Sequence, residues 1–146
     1  MIRTIMLVAI VLATGPAAAE TLAGRARVVD GDSLVVDGRR VRLFAIDAPE
    51  LHEPLGERSR RETVGILGDR PVACAVRGYD GHARAIAVCR AGDVDIAGEL
   101  VRRGWARAWR HYGRDYAALE AEARAAGRGM WAPGLEAARA SPRHRE

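Results

Sequence analysis

Over the first two thirds of this chain, short apolar runs alternate with turn residues. Near its end, apolar positions recur at three- and four-residue steps. The loose alternation from Leu22 to Val29 predicts a first strand, and Leu34–Val36 and Arg40–Ile46 predict a second and a third. Asp37-Gly38 joins the latter two and is a strong hairpin signal, because both central residues of such a turn need positive φ. Pro49 ends the third strand. Leu55 to Leu67 reads as a charge-rich helix with a thin apolar face, chiefly Val64 and Leu67. Pro54 suits its start and Gly68 its end. Val72–Val76 and Ala83–Cys89 predict strands four and five around the loop Gly78-Tyr79-Asp80-Gly81. Asp95 can cap a short helix from Ile96 to Arg103 that buries Ile96, Leu100 and Val101 and ends at Gly104. Asp115 can cap a last helix carrying Tyr116, Leu119, Ala123, Ala126 and Met130 on one face. Trp105 and Trp131 read as core residues. Five short strands with helices between and after them fit an α+β domain.

Length adds little to this: 146 residues favour one domain. The N-terminus reads as a secretory signal peptide. Arg3 is its positive end, Thr4 to Ala13 is an apolar run, and Ala17-Ala18-Ala19 is a cleavage pattern after Pro16. The run is too short for a membrane anchor, which needs about 20 residues. Residues 1–19 are therefore expected to be removed, leaving a domain over 20–133 and a small, charged tail over 134–146. The product would lie in a periplasm or outside the cell, as a monomer with no stable membrane association. The net charge of +4 falls to +3 with the loss of Arg3, a mild basic bias, and all 23 residues counted as Lys or Arg are arginine. Arginine offers planar, two-pronged recognition of phosphate. An exported chain with two cysteines points to one disulfide, against the alternative of two buried thiols. A turn centred between Gly81 and His82 sets Cys74 opposite Cys89, near bridging range.

Charge is also patterned around the Asp37-Gly38 hairpin. Asp30 and Asp32 lie before its first strand, Asp47 and Glu50 after its second, and Arg42 within the second. Carboxylates gathered at one end of a small sheet beside an arginine suit a metal ion and a phosphate. An EF-hand loop beginning at Asp30 is excluded, because its sixth position is Val35 and its twelfth is Val41.

These residues resemble the staphylococcal-nuclease-like (thermonuclease) family. The matching motifs are Asp30-Gly31-Asp32-Ser33, Arg42 to Glu50, Asp80 to Cys89, Leu100 to Ala106, and Gly127-Arg128-Gly129-Met130-Trp131. They stand in the family's order and cover Leu22 to Pro133. The resemblance implies a five-stranded OB-type barrel with about three helices, a fold that commonly presents a face to nucleic acid. It also implies a calcium-dependent nuclease acting on DNA and possibly RNA with little sequence preference. Asp32, Asp47 and the Ala48 backbone carbonyl would hold Ca²⁺, an ion that takes oxygen cages. Glu50 would be the general base, and Arg42 and Arg84 would stabilise the charge of the transition state. Tyr112 would contact a base or phosphate. Ser33 stands where the family usually has threonine. His82-Ala83 stands where tyrosine-glycine is common, which bears on substrate grip and on the aim of Arg84. The rival readings are an OB-fold module that binds nucleic acid without cutting it, and a secreted scaffold domain.

Overall fold

The computed structural model describes residues 19–112 and 116–139. The signal-peptide expectation and the Asp115 cap fall outside these residues. The chain builds strands β1 (Thr21–Gly24), β2 (Ala26–Asp30), β3 (Ser33–Val36), β4 (Arg39–Leu43), β5 (Ile46–Asp47), β6 (Val72–Tyr79), β7 (Ala85–Ala91), β8 (Val94–Asp95) and β9 (Arg107–Ala108). Its helices are α1 (Gly56–Leu67), α2 (Ile96–Arg102), α3 (Ala117–Ala125) and the single turn α4 (Glu136–Arg139).

The expected first strand is one segment broken at Arg25. Its first half, β1, pairs antiparallel with β6, while its second half, β2, pairs with β3. Since β6, β7, β4 and β3 follow one another across the sheet, the two halves close it into a ring. This is the five-stranded OB-type barrel, with the short β8 added at an edge of β7 and a separate β5–β9 pair. The hairpin forms as expected, with Asp37 at φ 49° and Gly38 at φ 75°. Its third strand ends earlier, because Ala45 turns to φ 57° and sends Ile46-Asp47 off to pair with β9. Arg42 pairs with Ser33 on one side and Ile86 on the other.

The barrel interior is filled by Leu34, Val36, Val41, Leu43, Ala87 and the joined Cys74 and Cys89. Cys74 and Cys89 are direct cross-strand partners and form a disulfide. Beyond them the β6–β7 register shifts between Val76 and Gly78, so this hairpin reaches further than expected.

Helix α1 departs from its expected face. Val64 is 45% exposed, and the buried residues are Gly56, Ser59, Thr63, Ile66 and Leu67. The helix puts Ile66 and Leu67 into the core and meets backbone along the rest of its buried side. The Thr63 hydroxyl donates to the Gly31 carbonyl (2.8 Å), and the Ser59 hydroxyl donates to the Trp105 carbonyl (2.8 Å). Helix α2 is capped as expected, the Gly98 N–H donating to Asp95 at 3.2 Å. Helix α3 ends at Ala125. Ala126 is exposed, and Met130 is buried from a separate short 3-10 turn. Trp105 and Trp131 are half-buried rather than core residues. Trp131 lies under the guanidinium groups of Arg107, Arg124 and Arg139.

Candidate active site

The hairpin places its carboxylates where the sequence pattern set them. Asp32 sits in the turn before β3 and is 2% exposed. One of its oxygens accepts from the Ala48 N–H (2.9 Å); the other accepts from the Ser33 hydroxyl (3.1 Å) and from Arg42 (3.4 Å). Arg42 also reaches Asp47 at 3.3 Å. One guanidinium thus joins two buried carboxylates from opposite ends of the hairpin. Burial pushes the Asp32 carboxyl up to about 7, against the pull of Arg42 and of the Ala48 N–H, with Asp30 and Asp47 adding to the rise. Such a group gains from any further cation placed beside it.

Arg42 is fixed on its other side as well. The Trp109 indole lies over it, with the guanidinium carbon 5.3 Å from the ring centre. The Trp109 backbone N–H donates to the Ala45 carbonyl at 2.8 Å, so this wall is tied to the turn that follows β4.

Glu50 is positioned by a close approach of backbone. A Cβ on Gly56 would fall 1.8 Å from the Glu50 carbonyl oxygen, so only glycine lets the loop lie against the start of α1. Within the loop the Glu53 carboxylate accepts from the Glu50 N–H (2.7 Å), and the Glu53 N–H donates to the Glu50 carbonyl (2.9 Å). A Cβ on Gly31 would fall 2.1 Å from the Ser59 hydroxyl oxygen, so the Asp32 turn also needs its glycine to meet α1.

Arg84 approaches from the β6–β7 loop and donates through Nε to Asp80 at 2.6 Å. Burial alone would raise the Asp80 carboxyl. The amide and guanidinium of Arg84 and the amide of His82 overcome this and draw it down to about 2. Ala83 keeps φ at 57°, so alanine holds the left-handed conformation that glycine favours, at about 1–2 kcal/mol of strain.

Arg42, Asp47, Glu50 and Arg84 all line one cleft of about 1190 Å³. Asp32 and Ala48 are not among its lining residues; they are linked by the hydrogen bond from the Ala48 N–H to the Asp32 carboxylate. The backbone of Tyr112 belongs to a short 3-10 turn, Arg110–Tyr112, beside the cleft; its side chain lies outside the described residues. Three cleft features are not assigned by sequence reasoning. Asp80 has a signal in the Asp-Gly-x-x-Arg spacing, which is that of a side chain capping its own loop. Trp109 has only its position beside the expected Tyr112 contact. Glu120 has none: it is 5% exposed on α3 and accepts from the Ala108 N–H (2.8 Å) and from Arg124.

The profile of the family described as Staphylococcal nuclease homologue matches residues 40–133. The chain belongs to this family. The match takes in Arg42, Asp47, Glu50 and Arg84 and begins after Asp32. Among named proteins the chain is similar to "Probable staphylococcal-like nuclease CAN2" of Oryza sativa subsp. japonica, 33% identical over 105 residues, 70% of this chain and 28% of that protein. It is similar to an "Uncharacterized endonuclease" of Haemophilus influenzae, 34% identical over 113 residues, 73% of this chain and 64% of that protein. It is similar over more of its length to "Micrococcal nuclease" of Shigella flexneri, 29% identical across 89% of this chain and 84% of that protein. The chain thus spans less than a third of the rice protein and just under two thirds of the Haemophilus one.

Proposed function

We propose that this staphylococcal nuclease homologue hydrolyses phosphodiester bonds of DNA, and of RNA, with calcium. The observation that carries the reading is the single cleft in which Arg42, Asp47, Glu50 and Arg84 meet from separate segments of the chain. Glu50 orients the attacking water and takes its proton. In-line attack builds negative charge on the equatorial phosphate oxygens. The Arg42 and Arg84 guanidiniums stand ready for it, and charge that develops only in the transition state is stabilised selectively.

The donor set suits a hard cation. Two buried carboxylates already share one guanidinium, and burial raises Asp32 despite the pull of Arg42. Asp32, Asp47 and the Ala48 carbonyl would hold Ca²⁺, with water completing the shell. The ion would supply positive charge beside the reacting phosphate.

Export of the protein as a monomer is part of the proposal. Export is supported by the Cys74–Cys89 disulfide, a bond that persists in oxidising compartments. Among the described residues no helix is long and apolar enough to cross a membrane.

Incubation with single- and double-stranded DNA and with RNA, in calcium and then in chelator, tests the reading by fragment size. Shortening that needs calcium and disappears in Glu50→Ala is expected. Intact nucleic acid under every condition, with retention on it unchanged by calcium, would replace the enzyme with a binding module.

A further inference from the structure

The side of β4 that carries Arg42 continues beyond the cleft. Arg40 lies two residues before Arg42 and so projects to the same face, about 6.6 Å away along the strand. Arg40 pairs with Val35 on β3, and Val35 pairs with Arg27 on β2. Directly paired residues share a face, so Arg27, Val35 and Arg40 form one row across three strands, with Arg40 and Arg27 about 10 Å apart. The alternate residues Val28, Leu34, Val36 and Val41 point into the barrel, which leaves this row on the outside.

Both Arg27 and Arg40 are exposed. Nine of the 19 described arginines have a carboxylate within ion-pair distance, as Arg39 has Glu20, Arg60 has Glu57 and Arg103 has Glu99. Among the described residues, Arg27 and Arg40 have none within ion-pair distance. Arg42, at the corner where this row meets the cleft, has its charge met by Asp32 and Asp47. Among the described residues, positive charge on this face is therefore met by carboxylates at Arg42 and left without an ion pair at Arg40 and Arg27.

We infer that the outer face of β2, β3 and β4 is a track for the phosphate backbone of a polynucleotide. Arg40 and Arg27 take the phosphates that flank the one held at Arg42. The inference rests on the nuclease reading of the cleft and adds to it a preference for chains over single nucleotides. Strand-to-strand spacing and the reach of an arginine suit successive phosphates of an extended single strand, and barrels of this type cover several nucleotides each. Exposed guanidiniums that bind phosphate release counterions, so the track contributes affinity that weakens with salt.

The test uses the processed protein with its disulfide formed, as wild type and as Arg27→Gln/Arg40→Gln. Three measurements are made: cleavage of a p-nitrophenyl ester of thymidine 5′-phosphate, which has one phosphodiester; cleavage of a 20-nucleotide single strand; and equilibrium binding of that strand in chelator across a salt series. The variant is expected to cleave the small ester like wild type, and to raise KM for the 20-mer while leaving kcat unchanged. Its plot of log affinity against log salt should be shallower by about 1.4, roughly 0.7 for each single-strand phosphate that an arginine no longer neutralises. An unchanged slope and KM would overturn the track. So would equal losses on the ester and the 20-mer, which would place the damage in the cleft. If wild type cut neither substrate yet the slopes still differed, the nuclease reading would fall and the track would stand.

Discussion

Arg42 and Arg84 reach the same cleft with different kinds of support. Arg42 rises from within a paired strand, between Asp32 and Asp47 on one side and the Trp109 ring on the other. Arg84 stands at the mouth of a hairpin and rests on one loop carboxylate, Asp80, itself capped by the backbone it helps to shape. On the strand side, the fold sets the position of the charge, and the charge in turn holds buried acids together. On the loop side, the carboxylate sets both the loop and the arginine. Rigid support for one cation and adjustable support for the other lets a cleft grip a phosphate that changes shape during reaction.

Substitution at the two arginines gives the sharpest contrast. Each change to alanine is expected to lower kcat by about 10²–10³-fold, the usual loss when one transition-state donor is removed. Only Arg42→Ala should also unfold easily, because it strands two buried carboxylates, a loss of about 3–5 kcal/mol in urea titration. Equal stability of the two variants would break the comparison.

The disulfide probes the loop side from its far end. Cys74→Ala/Cys89→Ala opens a loop with a sequence separation of 15. It is expected to cost about 3 kcal/mol of stability, read in the same titration. Its kcat should hold, since Asp80 rather than the disulfide aims Arg84.

Acid acts on that carboxylate directly. The Asp80 carboxyl is held at about 2, below its ordinary value near 4. A group lowered in the folded state contributes stability above its unfolded value and loses it as pH falls, here between about 4 and 2. Asp80→Asn should flatten that part of the stability profile and reduce kcat at neutral pH without altering Arg42. The smallest effect is expected from Ala83→Gly. Relief of the left-handed alanine should raise stability by up to about 1 kcal/mol, measured by thermal melting, the gain being trimmed by the freer unfolded chain.

The same division explains what could be seen from sequence. The hairpin, its Asp-Gly turn and the Cys74–Cys89 pairing follow from local alternation and a two-residue turn, which the chain writes out in order. The barrel itself comes with the family motifs. Helix α1 defeats periodicity because, beside Ile66 and Leu67, its buried side is made of Gly56, Ser59 and Thr63, small or polar residues that an apolar pattern does not mark. Val64 reads as core beside Leu67, while Ile66 takes the buried place. Glu120 and Trp109 act across long separations, on Ala108 and Arg42, and no spacing rule joins such pairs. The break at Arg25, with Gly24 at φ 147°, depends on two different neighbours for one strand and has no local signature.

That break makes the first strand a seam. A short segment, Thr21 to Gly24 with the preceding Glu20, fastens this end of the ring to β6. If it peels away, β6 becomes an open edge, and bare edges recruit strands from other molecules. Stability and solubility of the domain thus hang on its first few ordered residues. A chain trimmed beyond Gly24 should form aggregates well before it loses its hairpin, with Arg42 still on its strand inside a barrel that no longer shuts.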